Sequence, residues 1–162
     1  MSNPATDARQ YVLFQLSAEE YGLPVSAVRS IVRYEAPTHV PRAPDGVQGV
    51  LNLRGQVIPV VDLGERLLGR VIEPTAAARI IVIESEFGLV GLAVDSASEV
   101  VTIPASDIRP APEAALVEET RAAFEGVVPL GDRLVVLIDP EKVLPAAAAL
   151  STLAAQEDDL DG

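Results

Sequence analysis

The sequence predicts a mainly β protein that contains two copies of one small unit. The first observation is the stretch from Gly49 to Leu63, in which two apolar runs, mostly β-branched, flank the polar turn Arg54-Gly55. The second is the repetition of this pattern from Gly126 to Pro140, where Gly126 and Asp139 have the same separation as Gly49 and Asp62. The third is composition: 49% of the residues are hydrophobic but only 4% are aromatic, so the core is expected to consist of Val, Ile, Leu and Ala.

Short apolar runs bounded by turns place the strands of both copies. They are predicted over 11–16, 21–25, 28–33 and the hairpin 49–63 in the first copy, and over 79–84, 89–94, 100–103 and the hairpin 126–138 in the second. A second match relates Ile31-Val32 to Val100-Val101, with the same spacing that relates Gly22-Leu23 to Gly91-Leu92. We therefore expect two pseudo-symmetric lobes with one hairpin each.

The first hairpin carries the clearest local signals. Gly55 can adopt positive φ at the tip without strain. Pro59 cannot donate to a strand ladder, so its strand is expected to have an edge or a bulge there. Asp62 is expected to cap a short helix over 63–68, which Gly69 ends.

The chain is long enough for one domain, or for two very small units that share a core. Residues 1–9 are expected to be a disordered arm, and 10–150 a single domain whose copies lie around 11–69 and 78–144. Short helices, one of them near the C-terminus, are expected beside the strands. The tail 151–162 is acidic and expected to fray.

Composition excludes several classes of function. A net charge of −12 opposes binding to nucleic acid and to an anionic membrane surface. The absence of cysteine excludes disulfides and thiolate metal sites. No signal peptide is visible, and no apolar run reaches the roughly 18 residues that a membrane-spanning helix needs. We expect an acidic cytoplasmic protein.

A search for catalytic groups finds little. His39 is the only histidine and lies in a proline-rich loop, where a surface role is the ordinary one. Asp62 and Asp139 occupy matching positions, so a paired-carboxylate enzyme is one hypothesis. The favoured interpretation is that each aspartate caps the helix after its own hairpin. No cofactor or metal motif is present, and a binding module is the stronger class.

Six short motifs occur in order between Tyr11 and Leu144. They are Glu20-Tyr21-Gly22-Leu23, Gly49-Val-Leu-Asn-Leu-Arg-Gly55, Pro59-Val-Val-Asp62, Val90-Gly-Leu-Ala-Val-Asp95, Ile108-Arg-Pro-Ala-Pro-Glu113 and Leu130-Gly-Asp-Arg133. Together they resemble the CheW family of chemotaxis coupling proteins. The resemblance implies two five-stranded β-barrels with a third apolar core between them, and no catalytic activity or cofactor.

The resemblance also implies partners and contact positions. Proteins of this family join the histidine kinase CheA to the cytoplasmic tips of chemoreceptors, which would recruit the chain to membrane-associated arrays. The implied contact residues are Arg54, Val28 and Gly49 in the first lobe and Ile80, Val100 and Gly126 in the second.

By residue type alone, Val28, Val100 and Ile80 are more typical of a core than of an interface. Gly49 and Gly126 could be required by the backbone conformation. Only Arg54 is not explained in either way. Ser30 stands where many members carry an acidic residue, so partner choice is open, as is a role in another kinase pathway that controls motility or gene regulation. The loop 35–45 is a second place where partner choice could be set.

Overall fold

A computed structural model describes residues 8–43, 46–110 and 123–145 of the chain. The strands are β1 (Arg9–Leu16), β2 (Glu19–Pro24), β3 (Val28–Arg33), β4 (Gly49–Leu53), β5 (Gln56–Asp62), β6 (Arg79–Ser85), β7 (Gly88–Val94), β8 (Ser96–Ile103), β9 (Phe124–Leu130) and β10 (Arg133–Ile138). The helix α1 (Leu63–Leu68) follows β5, and single-turn 3-10 helices lie at Val25–Ala27 and Ala105–Asp107.

The strands form two five-stranded sheets of matching topology. Sheet A has the order β8-β1-β2-β10-β9, and sheet B has the order β3-β6-β7-β5-β4. The pairs β2–β10 and β5–β7 are parallel and the others are antiparallel. Replacing each strand of sheet A by its counterpart in the other sequence copy gives the order of sheet B, so the predicted pseudo-symmetry and one hairpin per lobe are confirmed.

The two sequence copies nevertheless do not each build one lobe, as the tandem repeat led us to expect. Sheet A combines β1 and β2 of the first copy with β8, β9 and β10 of the second, and sheet B has the reverse mixture. A repeat identifies equivalent strands but not their hydrogen-bonded neighbours, so sequence comparison alone could not reveal this exchange.

The mainly β class with two five-stranded lobes is confirmed. Among the described residues, however, β8 and β9 do not pair with each other, and neither do β3 and β4. Each lobe is therefore a sheet without the hydrogen-bonded closure of a barrel.

The irregularities of the two edge strands also correspond. The register shift at Arg29 in β3 has its counterpart at Ser98 in β8, in the same alignment that relates Ile31 to Val100.

The apolar core has two parts. One face of sheet A packs a small cluster of its own, which includes Tyr11 and Leu13. The opposite face, with Phe14 and Ile138, joins a larger cluster that contains the core of sheet B. Val61 and its counterpart Ile138 are both completely buried in that cluster, as the repeat predicts. The apolar layer between the lobes agrees with the resemblance.

The predicted helix cap at Asp62 is confirmed, whereas Asp139 caps a turn where a helix was predicted. The Oδ1 atom of Asp62 accepts the N–H of Glu65 at 3.0 Å, and Gly69 ends α1 with φ of 73°. The Oδ1 atom of Asp139 accepts the N–H of Glu141 at 2.9 Å, in a turn and not in a helix. The two aspartates thus perform the same local task at the ends of β5 and β10.

Some expectations fall outside the described residues. The C-terminal helix, the tail 151–162 and most of the N-terminal arm are among them, and Arg9, at the end of the expected arm, already belongs to β1.

Candidate interaction surface

The tip of the β4–β5 hairpin presents Arg54 on a two-residue turn. Arg54 and Gly55 have φ of 54° and 84°, which is the left-handed pair that a type I′ turn requires. The Oδ1 atom of Asn52 accepts the N–H of Gly55 at 3.0 Å and helps to fix the turn. Positive φ is costly for arginine because its Cβ crowds the following carbonyl. The turn between β9 and β10 has Gly131, with φ of 61°, at the matching place.

Sheet B curls so that its opposite edges line one groove, which we call the Arg54 groove. Its walls include Arg29, Ser30 and Ile31 of β3, Leu53 and Arg54 of the hairpin, and Leu89 of β7, around a volume of about 370 Å³. Arg29 forms an exposed ion pair with Glu84, whereas Arg54 forms no ion pair with any described residue. The groove therefore combines apolar walls with an uncompensated cation.

In sheet A, charged side chains bridge the equivalent strands. Arg133 of β10 reaches Glu99 of β8 at 3.2 Å and Glu20 of β2 at 3.3 Å. In the alignment of the two sequence copies, the counterparts of these three residues in sheet B are Gln56, Ser30 and Leu89. Since none of the three is charged, no such bridge can form, and the Arg54 groove stays open. Ser30, the departure noted in the sequence, is one of the three.

Two exposed apolar side chains occupy equivalent positions on the edge strands. Ile31 of β3 is 41% exposed and Val100 of β8 is 54% exposed. Their register partners are Ile81 and Val12, both buried, so each exposed side chain lies beside a buried one on the neighbouring strand. Ile31 was not among the predicted contact residues, although its alignment with Val100 in the repeat could have identified it.

The structure separates the predicted contact residues into accessible and buried ones. Arg54 and Val100 are exposed, and Val28 is half-buried against the core. Ile80 is completely buried in β6, so its side chain is not accessible to a partner in this conformation.

Gly49 and Gly126 are buried for a reason that the structure makes plain. A Cβ on Gly49 would lie 2.5 Å from the carbonyl oxygen of Thr38, and one on Gly126 would lie 2.6 Å from that of Arg109. At both places a loop crosses the edge of the sheet and forms a single β-bridge with the next residue of β4 or β9. Close backbone approach therefore requires glycine at both positions.

The remaining acidic groups serve the fold. Burial raises the pKa of the Asp62 carboxyl, although the N–H groups of Glu65 and Ile72 donate to it and lower the pKa in part. Asp139 follows β10 in sheet A, whereas Asp62 ends β5 in sheet B, so the two carboxylates belong to different lobes. His39 is exposed on its loop. In the described part of the chain, no three metal-ligating side chains converge, and no helix is long and apolar enough to cross a membrane.

These features define a protein whose distinctive surface is built for contact: two related lobes, exposed apolar edges and a basic tip. Comparison with known proteins identifies the family. Residues 10–148 match the CheW-like domain, and the chain belongs to this family.

Its relatives include chemotaxis proteins CheW of Bacillus subtilis, 37% identical over 88% of this chain and 90% of the relative, and of Klebsiella aerogenes, 34% identical over 86% and 83%. The crystal structure of the scaffolding protein TtCheW from Thermoanaerobacter tengcongensis is similar with a TM-score of 0.76 and 30% identity, over 86% of this chain and 89% of that one. The chain is accordingly a scaffold protein of chemotaxis signalling.

Proposed function

We propose that this chain is a non-catalytic adaptor that couples chemoreceptors to a CheA-type histidine kinase. The observation that carries the proposal is the pair of exposed apolar residues, Ile31 and Val100, at equivalent places on the edges of two different sheets. A protein with two related but non-identical surfaces can hold two partners at once. The chain would act in the cytoplasm, at membrane-associated receptor arrays.

The chemistry of the two surfaces suits protein partners. An apolar side chain on an edge strand gains free energy when a partner removes it from water. On sheet B this contact continues into the Arg54 groove, where a guanidinium can pair bidentately with a carboxylate of the partner. We assign direct contact to Arg54, Val28, Ile31 and Val100. Gly49, Ile80 and Gly126 would act only by shaping the surface.

The second candidate is an adaptor of the same family that serves another kinase pathway, in motility or gene regulation. Ser30 favours this candidate, because it leaves the Arg54 groove without the charge that its counterpart Glu99 supplies in sheet A. A partner matched to this groove would differ from one matched to an acidic residue at that position. The loop 35–45 would contribute to the same choice.

Binding of matched surface variants tests the proposal. Ile31→Ser and Val100→Ser each replace an exposed apolar side chain, and Val71→Ser is the control because Val71 is 65% exposed away from both edges. Titration with the purified kinase and with a receptor-tip fragment should show at least a tenfold loss for one partner in each edge variant, which equals about 1.4 kcal/mol. The control should stay within twofold. Edge variants that bind both partners like the control would refute the assignment.

A further inference from the structure

The end of the sequence matches the chemistry of the Arg54 groove. Residues 157–161 read Glu-Asp-Asp-Leu-Asp and supply four carboxylates around one leucine. The groove offers the reverse arrangement, since Arg54 and Arg29 stand beside the apolar side chains of Leu53 and Leu89. Arg54 has no carboxylate partner among the described residues, and only Arg29 has one, Glu84.

We propose that residues 157–161 dock intramolecularly in the Arg54 groove and compete there with a protein partner. The carboxylates pair with the guanidinium groups of Arg54 and Arg29, and Leu160 contacts the apolar wall. The docking itself requires no partner. Its competitive effect rests on the adaptor function proposed above.

The chain is long enough for this contact. Pro145, the last described residue, packs against Gly46, where an added Cβ would lie 2.9 Å from Pro145 Cγ. From Gly46 to Arg54 the chain covers eight residues, so the two lie within about 28 Å even if that segment is fully extended. Twelve Cα-to-Cα steps lead from Pro145 to Glu157 and can span up to about 40 Å. The acidic segment therefore reaches the groove, at an effective concentration in the millimolar range.

Charge selects sheet B over sheet A. The equivalent surface of sheet A has Glu20 and Glu99 already paired with Arg133, and Asp132 lies at the hairpin tip. An acidic segment is repelled there by the carboxylates of Glu20, Glu99 and Asp132, and the cation Arg133 is already paired. The two hairpin tips thus form a matched pair within one molecule, one attractive and one repulsive.

Paramagnetic relaxation provides the test, and the absence of cysteine makes it direct. A nitroxide is attached to the cysteine of the Gly162→Cys variant in the full chain. The broadening of backbone amide NMR signals by the nitroxide is then compared between residues 53–56 and residues 130–133. We expect at least threefold stronger broadening at 53–56. The matched control carries Glu157→Gln, Asp158→Asn, Asp159→Asn and Asp161→Asn with the same label, and in this control the preference should disappear.

Variants of the groove give the reciprocal result. Arg54→Gln keeps most of the side-chain length without its charge and should weaken the broadening at least twofold, whereas Arg133→Gln should leave it unchanged. Equal broadening of both tips, or broadening that persists after the acidic residues are neutralised, would overturn the proposal. A mixture of isotope-labelled chains without nitroxide and unlabelled chains with nitroxide provides one more outcome. Broadening of the amide signals of the isotope-labelled chains would also overturn the proposal, because the segment of a second copy would then occupy the groove.

Competition is measured separately with the same neutralised variant. If the segment fills the groove in about three-quarters of the molecules, neutralising it should tighten partner binding about fourfold. Failure of the adaptor function would appear as no binding by any variant, and would leave the relaxation result intact. Unchanged affinity together with normal binding would refute the competition.

Discussion

Replacing Arg54 by glycine should make the protein more stable and a poorer binder. Arg54 has φ of 54°, and a left-handed conformation costs a residue with a Cβ about 1–2 kcal/mol. Glycine removes this strain but gains freedom in the unfolded chain, which offsets about 0.4–1 kcal/mol. The net effect is a stabilisation of about 0.5–1 kcal/mol, or about 2 °C in Tm for a chain of this size. The second hairpin already has a glycine, Gly131, with positive φ at the matching position, although Asp132 beside it does not share the positive φ of Gly55.

Two companion variants separate strain from charge. Arg54→Gln retains the Cβ and removes the charge, so its stability should equal that of the parent. Arg54→Glu should also keep the parental circular dichroism and Tm, because an exposed charge at a hairpin tip contributes little to stability. All three variants should weaken kinase or receptor binding, and Arg54→Glu should do so by about 2 kcal/mol or more. Urea unfolding and titration supply both numbers. A destabilised Arg54→Gly protein, or an Arg54→Glu protein with full affinity, would refute the reasoning.

Three further predictions concern the fold. Val61→Ala and Ile138→Ala should each cost about 1–4 kcal/mol of unfolding free energy, since both side chains are completely buried, and losses below about 0.5 kcal/mol at both would contradict their burial. Gly49→Ala and Gly126→Ala should each cost about 1–3 kcal/mol, because the new Cβ would press on a backbone carbonyl, and a neutral result in chemical denaturation would disprove that contact. The third concerns pH. The raised pKa of Asp62 means that the folded state binds this proton more tightly than the unfolded state does, so stability relative to Asp62→Asn should rise as the pH falls from 7 through that pKa. Unfolding curves at a series of pH values would contradict this if the difference moved the other way.

Local features of the fold were predictable because they depend on neighbouring residues. The hairpin turn at Arg54-Gly55, the caps of Asp62 and Asp139 and the end of α1 at Gly69 all follow from turn and capping chemistry. Pro59 lies just before Val60–Asp62, the part of β5 that pairs with β7, so its strand has an edge there as expected. The repeat also placed Val61 and Ile138 in equivalent buried positions.

The site was less predictable because exposure depends on sheet neighbours that the sequence does not name. Ile80 and Ile31 are both isoleucines in short apolar strands, yet Ile80 lies in the interior strand β6 and Ile31 on the edge strand β3. The order of strands in sheet B decides this difference. The Arg54 groove likewise depends on residues that are distant in sequence, since in sheet A the equivalent strands are bridged by the contacts of Arg133 with Glu20 and Glu99.

The most direct test of the adaptor function is kinase autophosphorylation in a reconstituted system. Receptor-containing membranes, the CheA-type kinase and this chain are combined, and each component is omitted in turn. We expect kinase activity to rise at least tenfold only when all three are present, and Ile31→Ser to lose most of that increase while Val71→Ser keeps it. Kinase activity that is the same with and without the chain would contradict the account.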